Sequence, residues 1–147
     1  MSLTPHQIGL VQSSFSKVEP IAELAAILFY RKLFELQPDL RSLFPRSIEQ
    51  QGRKLMSVLK VAVGSLTNLP ALLPVLQSLG ARHVTYGVQP AHYEPLGDAL
   101  LQTLQTVLGD NYTREVHDAW AAVYTLITGI MCAHDRPEQH NLQRAAG

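Results

Sequence analysis

The sequence predicts an all-α protein, and three observations carry that expectation. Apolar residues recur at every third or fourth position over long windows, the spacing of one face of a helix. No segment shows the apolar–polar alternation of a half-buried strand. Proline and glycine fall between the periodic stretches and cut the chain into helical lengths. About seven or eight helices are expected, in one domain over residues 1–147 whose last part, 138–147, is a loose tail.

The elements follow in order. Thr4-Pro5-His6-Gln7 is a capping box with proline at the first helical position, so a helix is expected from there to about Lys17. Pro20 opens a second, with Ile21, Leu24, Ala25 and Leu28 at helical spacing. Pro38 starts a short third helix that Pro45 ends near Phe44. Ser47-Ile48-Glu49-Gln50 is a second capping box, and the helix after it aligns Leu55, Leu59, Val63 and Leu66 before the break at Thr67 to Pro70. The next carries Leu72, Leu76, Leu79 and His83, which at about 100° per residue share one stripe. Gly87 and Pro90 close it. Tyr93, Leu96, Leu100, Leu104 and Val107 mark a further helix, in which Pro95 forces a kink or marks where the regular part begins. After a turn at Gly109-Asp110-Asn111, Val116, Trp120, Val123, Ile127 and Ile130 define the last.

Composition narrows the function classes. A chain of 147 residues with 46% apolar content buries a real core and is not disordered. Its twelve basic and twelve acidic side chains form no block of one sign, which excludes an electrostatic footprint for nucleic acid or an anionic membrane. The single cysteine, Cys132, permits no internal disulfide and suits a reducing compartment. The apolar stretch from Ile21 to Tyr30 follows a polar segment and lacks a cleavage pattern, so it does not read as a signal peptide. The charge-free run from Val61 to Ala81 contains Ser65, Thr67, Asn68, Pro70 and Pro74, a load no bilayer span would carry. Asn111-Tyr112-Thr113 matches a glycosylation acceptor, which has no meaning without secretion. A cytoplasmic protein without a membrane span is expected.

Enzyme signatures are few. The chain has no phosphate-cradling glycine loop, no His-Glu-x-x-His and no paired cysteines. Cys132 reads as a small buried hydrophobe rather than a nucleophile. Of the histidines, His6, His117 and His140 fall at polar or terminal positions and read as solvated surface, while His92 and His134 suit the surface or helix ends. His83 differs, because it shares a face with three leucines and an imidazole left unpaired in an apolar core is costly. By residue type alone, a core histidine bonded to a backbone carbonyl and a metal ligand both remain open.

From Phe29 the chain reads Phe-Tyr-Arg-Lys-Leu-Phe-Glu-Leu-Gln-Pro-Asp-Leu-Arg-Ser-Leu-Phe, with Pro38 and Phe44 six residues apart and His83 thirty-two residues after Gln51. Together with Arg53-Lys54-Leu55-Met56, His83-Val84-Thr85-Tyr86-Gly87-Val88, His92-Tyr93 and Trp120-Ala121-Ala122-Val123-Tyr124, this ordered set resembles the globin family from about residue 5 to 135. The likeness is strongest to bacterial haemoglobins of the flavohaemoglobin-like branch. It implies a globin fold around a pocket for haem b (iron protoporphyrin IX), with His83 as the proximal iron ligand. It also implies Tyr30 as the distal tyrosine, Gln51 as the distal polar residue, Leu55 as the apolar residue beside the gas, and Phe44 as the ring that stacks on haem. Tyr93 and Asp135 match the tyrosine and glutamate that hydrogen-bond the proximal histidine, with Asp135 one methylene shorter.

The resemblance implies an oxygen-binding protein for delivery, storage or scavenging. Hydrogen bonds from Tyr30 and Gln51 to a polarised dioxygen ligand contribute on the order of 1.5–3 kcal/mol, so high affinity set by slow release is expected. Three other functions stand beside it: a nitric oxide dioxygenase served by a separate reductase, since the chain stops at Gly147; a haem gas sensor; and a haem-free helical bundle.

Overall fold

The computed structural model describes residues 3–44, 47–85 and 87–132. Among these there are six α-helices and no strands: α1 (Pro5–Val18), α2 (Ala22–Leu36), α3 (Ile48–Gly64), α4 (Leu69–Thr85), α5 (Tyr93–Leu108) and α6 (Arg114–Cys132). Short 3-10 turns at Glu19–Ile21, Pro38–Leu43, Pro90–His92 and Gly109–Asn111 connect them. The all-α architecture is the expected one. The helix number is slightly lower because the segment opened by Pro38 closes as a 3-10 turn rather than an α-helix, six residues being too few to offset α-helix nucleation.

Local chemistry explains the boundaries. The Thr4 hydroxyl accepts from the Gln7 amide at 3.1 Å while the Thr4 amide donates to the Gln7 side chain at 3.0 Å, completing the predicted box. Ser47 accepts from the Gln50 amide at 3.2 Å at the head of α3. Pro95 is the third residue of α5, where no amide has an intrahelical acceptor, so it costs no ladder bond. Gly109, at φ +55°, turns the chain out of α5.

α1 and α6 pack on one another around Trp120, which is 1% exposed. The Trp120 indole donates to the Ser14 hydroxyl at 2.8 Å, and that hydroxyl donates to the Leu10 carbonyl at 2.7 Å, so the polar atoms in this apolar layer are satisfied. α2 crosses α3 closely enough that a methyl on Gly52 would stand 2.8 Å from Ala26 Cβ. α4 lies against α6 with Gly80 on the Met131 backbone, where a methyl would meet the carbonyl oxygen at 2.5 Å.

The predicted α4 stripe holds: Leu72 and Leu76 are buried, and Leu79 and His83 are half-buried on the same face. No helix among the described residues is long and apolar enough to cross a membrane. One consequence of the packing positions the site. α3 is held by α2 and α1, whereas α4 is held by α6, so these two consecutive helices take different partners and are not packed face to face.

Candidate functional site

The first wall of the site comes from α2, the Pro38–Leu43 turn and α3. Phe29, Tyr30, Leu33 and Leu40 form a buried cluster, with Phe44 and Leu55 packed onto it. The Tyr30 ring meets Phe29 edge-on at 5.0 Å and Phe44 edge-on at 5.4 Å, and stacks on Phe34 at 5.9 Å. Pro38 is what permits this geometry, because it starts the turn that swings Phe44 back toward α2. Arg41 pins the turn, donating to the Phe44 carbonyl at 2.9 Å with its guanidinium 5.3 Å from the Phe34 ring.

The Tyr30 hydroxyl donates to the Gln51 backbone carbonyl at 3.4 Å, a long bond that gains little. Burial pushes the Tyr30 phenol up from 10.0 to about 12, so it remains a neutral donor at ordinary pH. Gln51 is half-buried, and Leu55 follows it by one turn on the same face of α3. The structure thus brings Tyr30, Phe44, Gln51 and Leu55 into one neighbourhood.

The second wall is the C-terminal half of α4. His83 Nδ1 lies 2.8 Å from the Leu79 carbonyl oxygen. A carbonyl only accepts, so in the neutral ring Nδ1 carries the proton and Nε2 is the basic nitrogen. Such a bond fixes both the tautomer and the ring orientation of a metal-ligating histidine. Tyr93, at the start of α5, presents its ring edge to His83 at 6.4 Å between centroids. Asp135 lies outside the described residues.

Tyr124 was not singled out as a site residue by sequence reasoning. Its hydroxyl donates to the Tyr93 carbonyl at 2.6 Å, tying α6 to the head of α5 next to His83. Burial, reinforced by Tyr93, Cys132 and Asp98, pushes its phenol far above the usual tyrosine range. The available signal was Gly97, a glycine inside a helical pattern, which marks a close neighbour. A methyl there would stand 2.6 Å from the Tyr124 ring.

The other histidines divide. His6 Nε2 pairs with Glu115 at 3.1 Å on the surface, and His92 Nδ1 accepts from the Gln89 amide at 3.0 Å at a helix start, both near expectation. His117 departs from the solvated position expected of it: it is half-buried with Nδ1 2.6 Å from the Tyr112 hydroxyl. His134 and His140 lie outside the described residues. Cys132 is half-buried against the core, as a small hydrophobe would be.

These residues fit an iron porphyrin. α4 offers an imidazole oriented by a backbone carbonyl, and α2, α3 and the Pro38–Leu43 turn offer aromatic and aliphatic surface with a neutral phenol donor, the donor set that such a group takes.

Known proteins give the same family. The globin family model matches residues 27–131. A flavohemoprotein of Bordetella parapertussis is 30% identical over 138 residues, covering 91% of this chain and 34% of its own length. A flavohemoprotein of Vibrio cholerae is 26% identical over 131 residues, covering 87% and 33%. The chain spans about a third of the length of the curated relatives it matches. Among solved structures, an engineered carbene transferase from Rhodothermus marinus, whose parent carries the provisional designation nitric oxide dioxygenase, superposes with a TM-score of 0.84 at 27% identity, covering 97% of this chain and 99% of that one. A hexacoordinated haem protein from an anhydrobiotic tardigrade gives 0.81 at 25%, covering 88% and 92%. With the family model matching well over half of its length, the chain belongs to the globin family.

Proposed function

We propose that this globin carries haem b, held through His83 Nε2, and binds dioxygen reversibly at ferrous iron as a cytoplasmic oxygen-binding protein. The observation that carries this reading is the 2.8 Å approach of His83 Nδ1 to the Leu79 carbonyl, a backbone bond of the kind that fixes the tautomer and ring orientation of metal-ligating histidines. Haem, when bound, supplies a ferrous centre with one coordination position for a small gas.

The chain's own residues do the rest. Phe44 and Leu55 wall the distal side and exclude water, which slows oxidation of the iron. Tyr30 keeps its proton, because burial disfavours the phenolate, and turns it from the weak 3.4 Å bond with Gln51 toward a polarised ligand. The Gln51 side chain is the second donor. Tyr93 buttresses the His83 ring from the proximal side. Absorption spectra of the reduced protein, taken with dioxygen admitted and then removed, test this: the two spectra should interconvert over repeated cycles. Immediate one-way oxidation on first exposure to dioxygen would contradict it.

A second reading is nitric oxide dioxygenation, in which dioxygen and nitric oxide give nitrate. It is favoured by the relatives, which are flavohemoproteins and a Rhodothermus protein of that provisional designation. Turnover would draw electrons from a reductase. Nitrate production sustained over many equivalents with a reductase supports it, and a single stoichiometric reaction limits the protein to oxygen binding.

A further inference from the structure

The bond from the Tyr30 hydroxyl to the Gln51 carbonyl is 3.4 Å long, so ring packing rather than hydrogen bonding sets where this phenol stands. Three rings close on one another there. Tyr30 and Phe34, one turn apart on α2, stack at 5.9 Å, and Phe44 meets the first at 5.4 Å and the second at 5.8 Å. Two of these rings share one long helix, whereas Phe44 caps the end of the Pro38–Leu43 turn. The hydrogen-bond geometry of a 3-10 turn is poorer than that of an α-helix, so Phe44 is the ring least secured by its own element.

Arg41 supplies what the turn lacks. The Phe44 amide donates to the Arg41 carbonyl at 3.2 Å, and the Arg41 guanidinium donates back to the Phe44 carbonyl at 2.9 Å. Both backbone polar groups of Phe44 are therefore bonded to one residue. The same guanidinium lies over the Phe34 ring, 5.3 Å from its centroid. A planar guanidinium can donate along its edge while its face rests on a ring, so this one side chain ties the end of the turn to α2. The contacts form a closed circuit that runs from Phe34 through Arg41 and Phe44 to Tyr30 and back. Arg41 itself is exposed, so the core does not depend on it.

We propose that Arg41 is a positioning residue of the site, locking Phe44 against the Tyr30 and Phe34 rings and so holding the phenol where it reaches a bound gas. It touches no ligand and acts through Phe44 and Tyr30. The proposal rests on the gas-binding function above and deepens it, since a surface side chain then sets the rate of dioxygen release. Burial already keeps the phenol protonated, so Arg41 controls its placement and not its charge.

Arg41→Met tests this, because it removes the guanidinium and keeps an apolar stem. In the haem-loaded ferrous protein it should release dioxygen about fivefold faster, the factor for ~1 kcal/mol, which is the size of an exposed cation–π contact. Carbon monoxide release should stay parental, because a less polarised ligand gains little from the phenol. On a Tyr30→Phe background the same substitution should change neither rate, since the hydroxyl it positions is gone. An unchanged dioxygen rate, equal acceleration of both gases, or a full effect without the Tyr30 hydroxyl would each overturn the proposal.

A second readout needs no haem. With ring-fluorinated tyrosine incorporated, the Tyr30 fluorine resonance is identified by its loss in Tyr30→Phe. It should shift or broaden in Arg41→Met as the ring loses its fixed neighbours, and an unchanged resonance overturns the proposal. A protein that takes up no haem would defeat the gas-binding function instead, and the fluorine spectra would still decide whether Arg41 positions the phenol.

Discussion

His83 Nδ1 sits 2.8 Å from the carbonyl oxygen of Leu79, one turn earlier on α4. The contact is local, so the orientation of the imidazole is built into the helix itself and does not await the packing of a distant element. α4 is in turn seated on α6 by the close approach of Gly80 to the Met131 backbone, three residues before His83. The Tyr93 and His83 rings meet edge-on at 6.4 Å, and the Tyr93 carbonyl accepts from the Tyr124 hydroxyl.

Tyr30 should govern gas release. Replacing it with phenylalanine keeps the ring contacts with Phe29, Phe34 and Phe44 and removes only the donor. Losing one hydrogen bond to a charge-bearing acceptor predicts dioxygen release faster by roughly ten- to a hundredfold, with little change for carbon monoxide, which is less polarised. Stopped-flow displacement measures both, and equal release rates in parent and variant would remove Tyr30 from the mechanism.

The same phenol makes stability fall at alkaline pH. Its folded pKa is about 12 against an ordinary 10.0, so the fold favours the protonated form. The associated stability is complete below pH 10 and is lost as pH climbs from 10 toward 12, on the order of 3 kcal/mol in full. Tyr124, whose phenol burial also holds protonated, acts in the same direction from the same pH upward. Denaturant midpoints followed across this window should fall less steeply in Tyr30→Phe; an identical slope would assign the loss to other groups.

Gly80 is predicted to be intolerant of any side chain. An added methyl would stand 2.5 Å from the Met131 carbonyl oxygen and 2.9 Å from its Cα, and backbone does not give way as a side-chain tip would. Gly80→Ala should cost about 1–3 kcal/mol and, by prising α4 from α6, weaken haem retention. Gly64→Ala is the control, since nothing lies within 4 Å of its methyl and its φ is not positive. It should be neutral or stabilising by up to about 1 kcal/mol. Equal urea midpoints for the two variants would refute the steric account.

Ser14→Ala isolates a buried polar link. It leaves the Trp120 indole without its acceptor at 1% exposure, a loss of about 1–3 kcal/mol. Thermal unfolding reads the loss directly, and a parental midpoint would mean the indole finds another acceptor.

Much of this organisation was legible from local chemistry. The Thr4 capping box and the α4 stripe ending in His83 each depend on residues within one or two helical turns and stand where the spacing puts them, while the second box forms only the Ser47 bond to the Gln50 amide and Pro38 opens a 3-10 turn in place of the expected helix. Pro95 is benign because its cost depends on its position within α5, a boundary that apolar periodicity locates only to within a few residues. What sequence did not reveal depends on distance along the chain. Tyr124 and Tyr93 are 31 residues apart, and no local pattern joins a phenol to that carbonyl. His117 reads as polar surface until the fold lays the Tyr112 hydroxyl against it.

The central claim is that His83 is the proximal ligand, and a haem titration followed by absorption, run in parallel on the parent protein and His83→Ala, tests it most directly. The account predicts stoichiometric uptake by the parent, with the spectrum of a ferrous haem ligated by imidazole after reduction, and loss of that uptake in the folded variant. Uptake with an unchanged spectrum in His83→Ala, or a parent that stays colourless with haem in excess, would contradict it.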